Sequence, residues 1–328
     1  MKKCLFICVL AMIALVSGLG ESNSSRKLYW GSIDPDNEVF LDIQCTDEDT
    51  VSGIYRIDWG VEHKFKGTKV DVSRYQLVER SGDSEDIYIN LDIERDRVEG
   101  EMIQGGSSTL FTARLISLVA DYSFLVSPEL YESARIPLFR EGELINKKIQ
   151  QAIAIDPESI IRELDHVYAV DYIPGWTREI DFTISLISSE VVSIVFFVHE
   201  YSGGAHGNFR YRTVNIVNSL SGEEELSLQA LFSKPDAAQK IISHIIMEAL
   251  QEEEAFFVSN GMIEDVPFSK IRQFSIGTDG ITILFAPYEV GSYAQGAFEV
   301  LVPYNEIKEY LKPSFIQKIP RLRSKHYY

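Results

Sequence analysis

The run His199-Glu200-Tyr201-Ser202-Gly203-Gly204-Ala205-His206-Gly207 gathers the residue types best suited to chemistry in this chain. Zinc accepts imidazoles and carboxylates, and a carboxylate near an imidazole can serve as a general base. A hydrolase or deacetylase acting on cell-wall sugar would have to be built on Glu200 and His206. The remaining histidines, His63, His166, His244 and His326, are scattered along the chain, so no metal-ligand spacing emerges. Asp165 and His166 are adjacent on an expected helix, where neighbouring side chains diverge. No glycine-rich nucleotide loop follows a strand, and there is no His-Glu-x-x-His and no Gly-x-Ser-x-Gly. The residues therefore call for no catalytic set, no metal and no cofactor.

The same run reads more simply as a turn with a contact surface. Gly203 and Gly204 permit backbone angles closed to other residues, and Gly207 permits a further one. His206 would bond to backbone and set the turn. A second polar-aromatic stretch, Ala286-Pro287-Tyr288-Glu289-Val290-Gly291-Ser292-Tyr293-Ala294-Gln295-Gly296, lies far along the chain. Tyrosine rings give rigid contact area with a polar tip. The ligand-binding candidates are thus His206, Tyr201, Tyr288, Tyr293 and Gln295, and the structural loop glycines are Gly203, Gly204, Gly207 and Gly296. If the two stretches share one sheet edge, they form one surface.

The elements that must position these residues are mostly strands. Residues 28–115 read as an all-β meander, curved and barrel-like, in short alternating runs such as EVFLDIQ and IYINLDI. Residues 117–313 mix helices with antiparallel strands, which is α+β rather than doubly wound α/β. Leu144, Ile145, Ile149 and Ile153 mark one helix, and Asp156-Pro157 opens a second carrying Ile160, Ile161 and Leu164. EVVSIVFFVHEY is almost continuously apolar and predicts a central strand. Ile241, Ile242, Ile245, Ile246 and Leu250 give a helical stripe, and Gly277 to Gly280 a hairpin turn. Residues 314–328 are basic and read as a mobile tail.

Met1-Lys2-Lys3 followed by an apolar run that ends in small residues has the pattern of a secretory signal peptide over residues 1–20. No later apolar run is long enough to span a bilayer. Of Cys4, Cys8 and Cys45, only Cys45 would remain after processing, and it continues a strand pattern. The formal charge of −18 repels phosphate backbones, which excludes nucleic acid as a natural partner and favours a basic protein.

The segment from Phe196 to Phe232 resembles the bacterial domain-of-unknown-function family 3298. The resemblance rests on Tyr201, Gly203 to His206, Ser221-Gly222 and Leu228 to Phe232, and then on Phe285, Tyr288, Tyr293 and Gly296. The region before it, from Tyr122 to Val170, is similar to the companion family 4163. Together they cover about 117–313. Family members occur in envelope proteins, among them an anti-sigma factor whose outer domain binds lysozyme and a peptidoglycan deacetylase with a separate catalytic domain. The resemblance implies an extracytoplasmic, periplasmic or secreted, accessory module that is not itself an enzyme. It would bind a basic protein such as lysozyme or a peptidoglycan fragment. A structural or inhibitor protein of the envelope is the remaining alternative.

Overall fold

The computed structural model describes residues 26–34, 37–45, 49–80, 86–125, 130–154, 175–219, 222–319 and 322. The expected signal peptide, the helix opened by Pro157 with Asp165 and His166, Ser221, and the last six residues lie outside the described residues. The described residues divide into two compact units. One holds residues 26–57, 61–141 and 175–178. The other holds 58–60, 142–154 and 179–322.

The first unit is built from β1 (Arg26–Ile33), β2 (Asn37–Cys45), β3 (Thr50–Ile57), β4 (His63–Lys69), β5 (Arg74–Glu79), β6 (Ile87–Glu94), β7 (Arg97–Gln104) and β8 (Ser107–Leu125). Each strand pairs antiparallel with the next, and β1 pairs with β8, which closes an eight-stranded barrel. Alternation along the strands explains the closure. Tyr29, Leu41, Tyr55, Phe65, Leu77, Leu91, Val98 and Phe111 all point inward and form one buried core. One acid sits among them. Glu79 accepts the Tyr55 hydroxyl on one carboxylate oxygen and meets His63 Nδ1 at 2.7 Å with the other. The Tyr55 and His63 rings stack at 4.8 Å. Burial, reinforced by Glu79, holds the Tyr55 hydroxyl well above the usual tyrosine range, so it remains a donor.

β8 does not stop where the barrel does. Its far half pairs with β9 (Leu130–Phe139), from Ser117 opposite Phe139 to Leu125 opposite Tyr131. A boundary between 28–115 and 117–313 therefore falls inside a continuous strand, and the first unit runs on to Glu141. Leu115 to Ser117 looked like a seam because the alternation slips there. The register of β1 on β8 shifts at this point, which marks a bulge. Arg178 also belongs to this unit, and its Nη1 donates to Glu132 Oε2 of β9 at 2.8 Å.

The second unit contains α1 (Glu143–Ile153), most of β10 (Trp176–Ile187), β11 (Val191–Tyr201), β12 (Asn208–Ser219) and β13 (Gly222–Glu225). Ile145, Ile149 and Ile153 form the buried face of α1. A short 3-10 turn at Leu228–Leu231 leads into α2 (Pro235–Glu252), which buries Ala238, Ile242, Ile246 and Leu250. After α3 (Phe256–Ser259), strands β14 (Gln273–Ile276), β15 (Gly280–Phe285) and β16 (Phe298–Pro303) form a separate three-stranded antiparallel sheet. The two sheets of this unit are joined by a buried polar network. Ser193 Oγ donates to Asn215 Oδ1 at 2.7 Å and accepts from Ile276 N at 2.9 Å, while Asn215 Nδ2 donates to Phe274 O at 2.8 Å.

The chain closes with α4 (Tyr304–Ile307) and α5 (Pro313–Ile316). Here the expectation of a mobile tail from 314 needs correction. Phe315, Ile319 and Leu322 are buried, and Lys318 pairs with Glu190 at 2.8 Å. These three apolar residues recur at helical spacing, which anchors the segment despite its basic composition. The fold is α+β, mostly strand with few helices. Among the described residues, no helix is long and apolar enough to cross a membrane.

Candidate binding site

The apolar run of β11 makes it an interior strand, and its end delivers His199 and Glu200 opposite Phe209 and Asn208 of β12. Alternation sends these two side chains to opposite faces. Glu200 pairs with Arg210 across the ladder. The connecting loop turns on Gly203 and Gly204, with φ of 100° and 94°. Tyr201 braces the turn, its hydroxyl donating to Gly204 O at 3.1 Å. Gly207 differs from expectation. Its φ is not positive, and the need for glycine is spatial, because a Cβ there would lie 2.8 Å from the His199 ring.

A Cβ at Gly204 would meet nothing within 4 Å. Gly204→Ala thus isolates the backbone term, and it is expected to lower stability by about 1–2 kcal/mol. The shift of the urea midpoint measures this, and an unchanged midpoint would show that the loop relaxes freely.

The second polar-aromatic stretch connects β15 to β16. Its first part is a tight turn in which Glu289 N donates to Ala286 O at 3.1 Å, and Ala286 N donates back to the Glu289 carboxylate at 2.8 Å. Pro287 occupies the second position and Tyr288 the third, where φ is 70°. This is the type II pattern, which calls for glycine or asparagine at that third position. A tyrosine stands there instead, 55% exposed. Downstream, Gln295 fastens the stretch to the chain. Its Oε1 accepts from Ser292 N at 3.1 Å and Phe256 N at 3.0 Å, and its Nε2 donates to Glu254 O at 2.9 Å. The Gln295 amide is thus taken up by the loop that it shapes. Gly296, with φ of 80°, allows the exit into β16.

The two stretches meet. The His206 and Tyr293 rings stack at 3.7 Å with 17° between their planes. The Tyr293 hydroxyl donates to Gly207 O at 2.7 Å, across 86 residues of sequence. Tyr288 joins the group, its ring 5.6 Å from that of Tyr293. His206 Nδ1 lies 3.0 Å from Gly207 O. The result is a ledge of three rings, with the Tyr288 end open to solvent. On the same two strands, Phe197, Phe209 and Tyr211 form an aromatic cluster, and the Tyr211 hydroxyl donates to Glu299 at 2.8 Å. Burial first, and Glu299 second, raise the Tyr211 hydroxyl far above its ordinary pKa. Residue identities reveal the rings, but only the packing of β11–β12 against β15–β16 brings them together. Among the described residues, no group of three or more His, Cys, Asp or Glu is placed to hold a metal ion. What the ledge offers is flat aromatic area and tyrosine edges, suited to cation–π contact with basic side chains or to stacking on C–H surfaces.

The family described as "Protein of unknown function (DUF3298)" matches residues 229–305. This stretch is a DUF3298 domain. The DUF3298 stretch carries α2, the three-stranded sheet and the Tyr288 and Tyr293 end of the ledge, while the His206 loop precedes it. The likeness of the region around 122–170 to family 4163 remains a proposal. A curated relative, "Peptidoglycan-N-acetylmuramic acid deacetylase PdaC" of Bacillus subtilis (strain 168), is 25% identical over 142 residues, which are 42% of this chain and 30% of that protein. The chain therefore spans less than a third of that relative. Two DUF3298 crystal structures are also similar. One, from Pseudomonas aeruginosa PAO1, has a TM-score of 0.44 at 15% identity, covering 60% of this chain and 93% of its own. The other, from Bacteroides fragilis NCTC 9343, has a TM-score of 0.42 at 16% identity, covering 64% and 96%.

Proposed function

We propose that the chain is an exported, non-catalytic binding module of the bacterial cell envelope, and that the Tyr288–Tyr293–His206 ledge is its contact surface. The observation that carries this reading is Tyr288. A bulky residue held at φ 70° where the turn calls for glycine is strained, and such strain collects at ligand-contacting positions. Its ring is exposed beside two stacked rings, so the strain serves contact rather than packing. The favoured partner is a basic protein such as lysozyme. Lysine and arginine side chains bind tyrosine faces, and the formal charge of −18 steers a cation toward the chain. A peptidoglycan fragment is the second reading, supported by the name of the deacetylase relative.

The test exploits the strain. Tyr288→Gly suits the turn, so it is expected to keep or raise the melting midpoint, by up to about 1 kcal/mol of stability. The same change should weaken binding of lysozyme about tenfold or more, because it removes an exposed aromatic anchor. His206→Ala is expected to weaken it in the same direction. Calorimetric titration with lysozyme and, separately, with a muropeptide reads both effects. Parent-like affinity in Tyr288→Gly, or no binding of either ligand by the parent, would sink the proposal.

A further inference from the structure

The outer wall of the barrel carries a second surface with its own chemistry. Gly100 holds an inward position of β7, between Val98 and Met102 of the core. A Cβ there would lie 2.1 Å from the Phe111 ring, which occupies that space from inside. Over this point the outer face forms a depression of about 550 Å³. That lies within the usual size of ligand pockets, roughly 300–1,000 Å³.

The strand register lays two ranks of outward side chains across the depression. Gln76, Asn90, Glu101 and Leu110 stand opposite one another on β5, β6, β7 and β8. Two residues along, Arg74, Asp92 and Glu99 form the second rank. The charges of that second rank are matched, Arg74 to Asp92 at 3.6 Å and Glu99 to Arg97 outside the rank at 2.9 Å. The first rank is uncommitted: the side chains of Gln76, Asn90 and Glu101 bond to none of the described residues. Asp92 Oδ1, also at the depression, is buried and has no hydrogen-bond partner among the described residues. The rim adds apolar area from Leu110 and Val70, both among the exposed large hydrophobics.

The chemistry of this inventory selects a ligand class. After the matched pairs are set aside, one carboxylate and two primary amides are left. An anion would face the uncompensated Glu101 and be repelled. A polycation would find little uncompensated charge. Amides donate and accept, and carboxylates accept from two hydroxyls, which is what a polyhydroxylated neutral molecule requires. Successive strands repeat at about 4.8 Å, so a chain of hydroxyl-bearing rings lying across them would meet a new side chain at each strand. We propose that this depression binds a neutral oligosaccharide across β5–β8. Gln76, Asn90 and Glu101 take its hydroxyls, and Leu110 and Val70 contact its C–H faces.

Calorimetric titration of the full chain with cellotetraose, maltotetraose and the N-acetylglucosamine tetramer tests this, with an oligolysine peptide as the competing class. One of the neutral tetramers is expected to bind. Asn90→Ala and Glu101→Gln should each weaken it about tenfold or more, at an unchanged melting midpoint, because each removes a hydrogen-bonding partner. Met262→Ala, at an exposed position that lines neither surface, should leave this binding intact. Absence of binding by all three tetramers, binding indifferent to both barrel substitutions, or preference for oligolysine would each overturn the assignment.

Discussion

Arg178→Met is expected to lower the stability of the protein by about 3–5 kcal/mol. The guanidinium and the Glu132 carboxylate are 7% and 5% exposed, so neither is solvated from outside. Removing the cation takes from a buried carboxylate the guanidinium that lies 2.8 Å away, and the loss exceeds the net worth of the pair. Changing both residues, Arg178→Met with Glu132→Leu, should restore most of that stability. Urea denaturation of the single and double variants decides the matter. A single variant within about 1 kcal/mol of the parent would mean that Glu132 behaves as a surface acid.

Asn215→Leu should have the second large effect, and it reaches the ledge. The substitution orphans Phe274 O and deprives Ser193 Oγ of its acceptor, both in a buried network. Each orphaned group costs about 1–3 kcal/mol, so a total near 2–6 kcal/mol is expected. The network ties β11 and β12, which carry His206, to β14 of the sheet that carries Tyr293. Loosening it should weaken the His206–Tyr293 contact as well, visible as loss of ring-to-ring nuclear Overhauser effects. An intact ring contact in a destabilised variant would show that the loops hold each other without help from the sheets.

How much of this could be read from sequence depended on the range of the interaction. The buried stripes of α1 and α2 are local, and Ile145, Ile149, Ile242, Ile246 and Leu250 announce them by spacing alone. The hairpin of β14 and β15 is equally local. The barrel was legible only as a meander, because two of its strands are poor in signal. β4 reads HKFKGTK, and Phe65 is its one apolar inward residue; β1 closes the ring through pairs with β8 that lie 78 to 91 residues away. The site behaved in the same way. Gly203, Gly204, His206 and Tyr293 stood out by type, yet the stack of His206 on Tyr293 depends on two sheets packing face to face. Tyr288 gave no sign of its unusual backbone, since only the Ala286–Glu289 turn reveals it. Gln295 looked like a contact residue because an exposed amide beside tyrosines has the same appearance in sequence whether it faces a ligand or fastens a loop.

The unbroken course of β8 bears on where this chain tolerates interruption. The strand runs for 19 residues, pairing with β7 along its first half and β9 along its second, with β1 on its other side. Ile116, at the bulge, looks from composition like a joint where a tag, a protease site or new termini could be placed. It lies in the middle of a hydrogen-bonded span, where Arg140 N donates to Ile116 O. The permissive position is one turn earlier in the chain, at Gly105 and Gly106 between β7 and β8. Both residues there have positive φ, are exposed and belong to no ladder. Grafted sequence, or circular permutation, would be accommodated at that tip and rejected at the apparent joint.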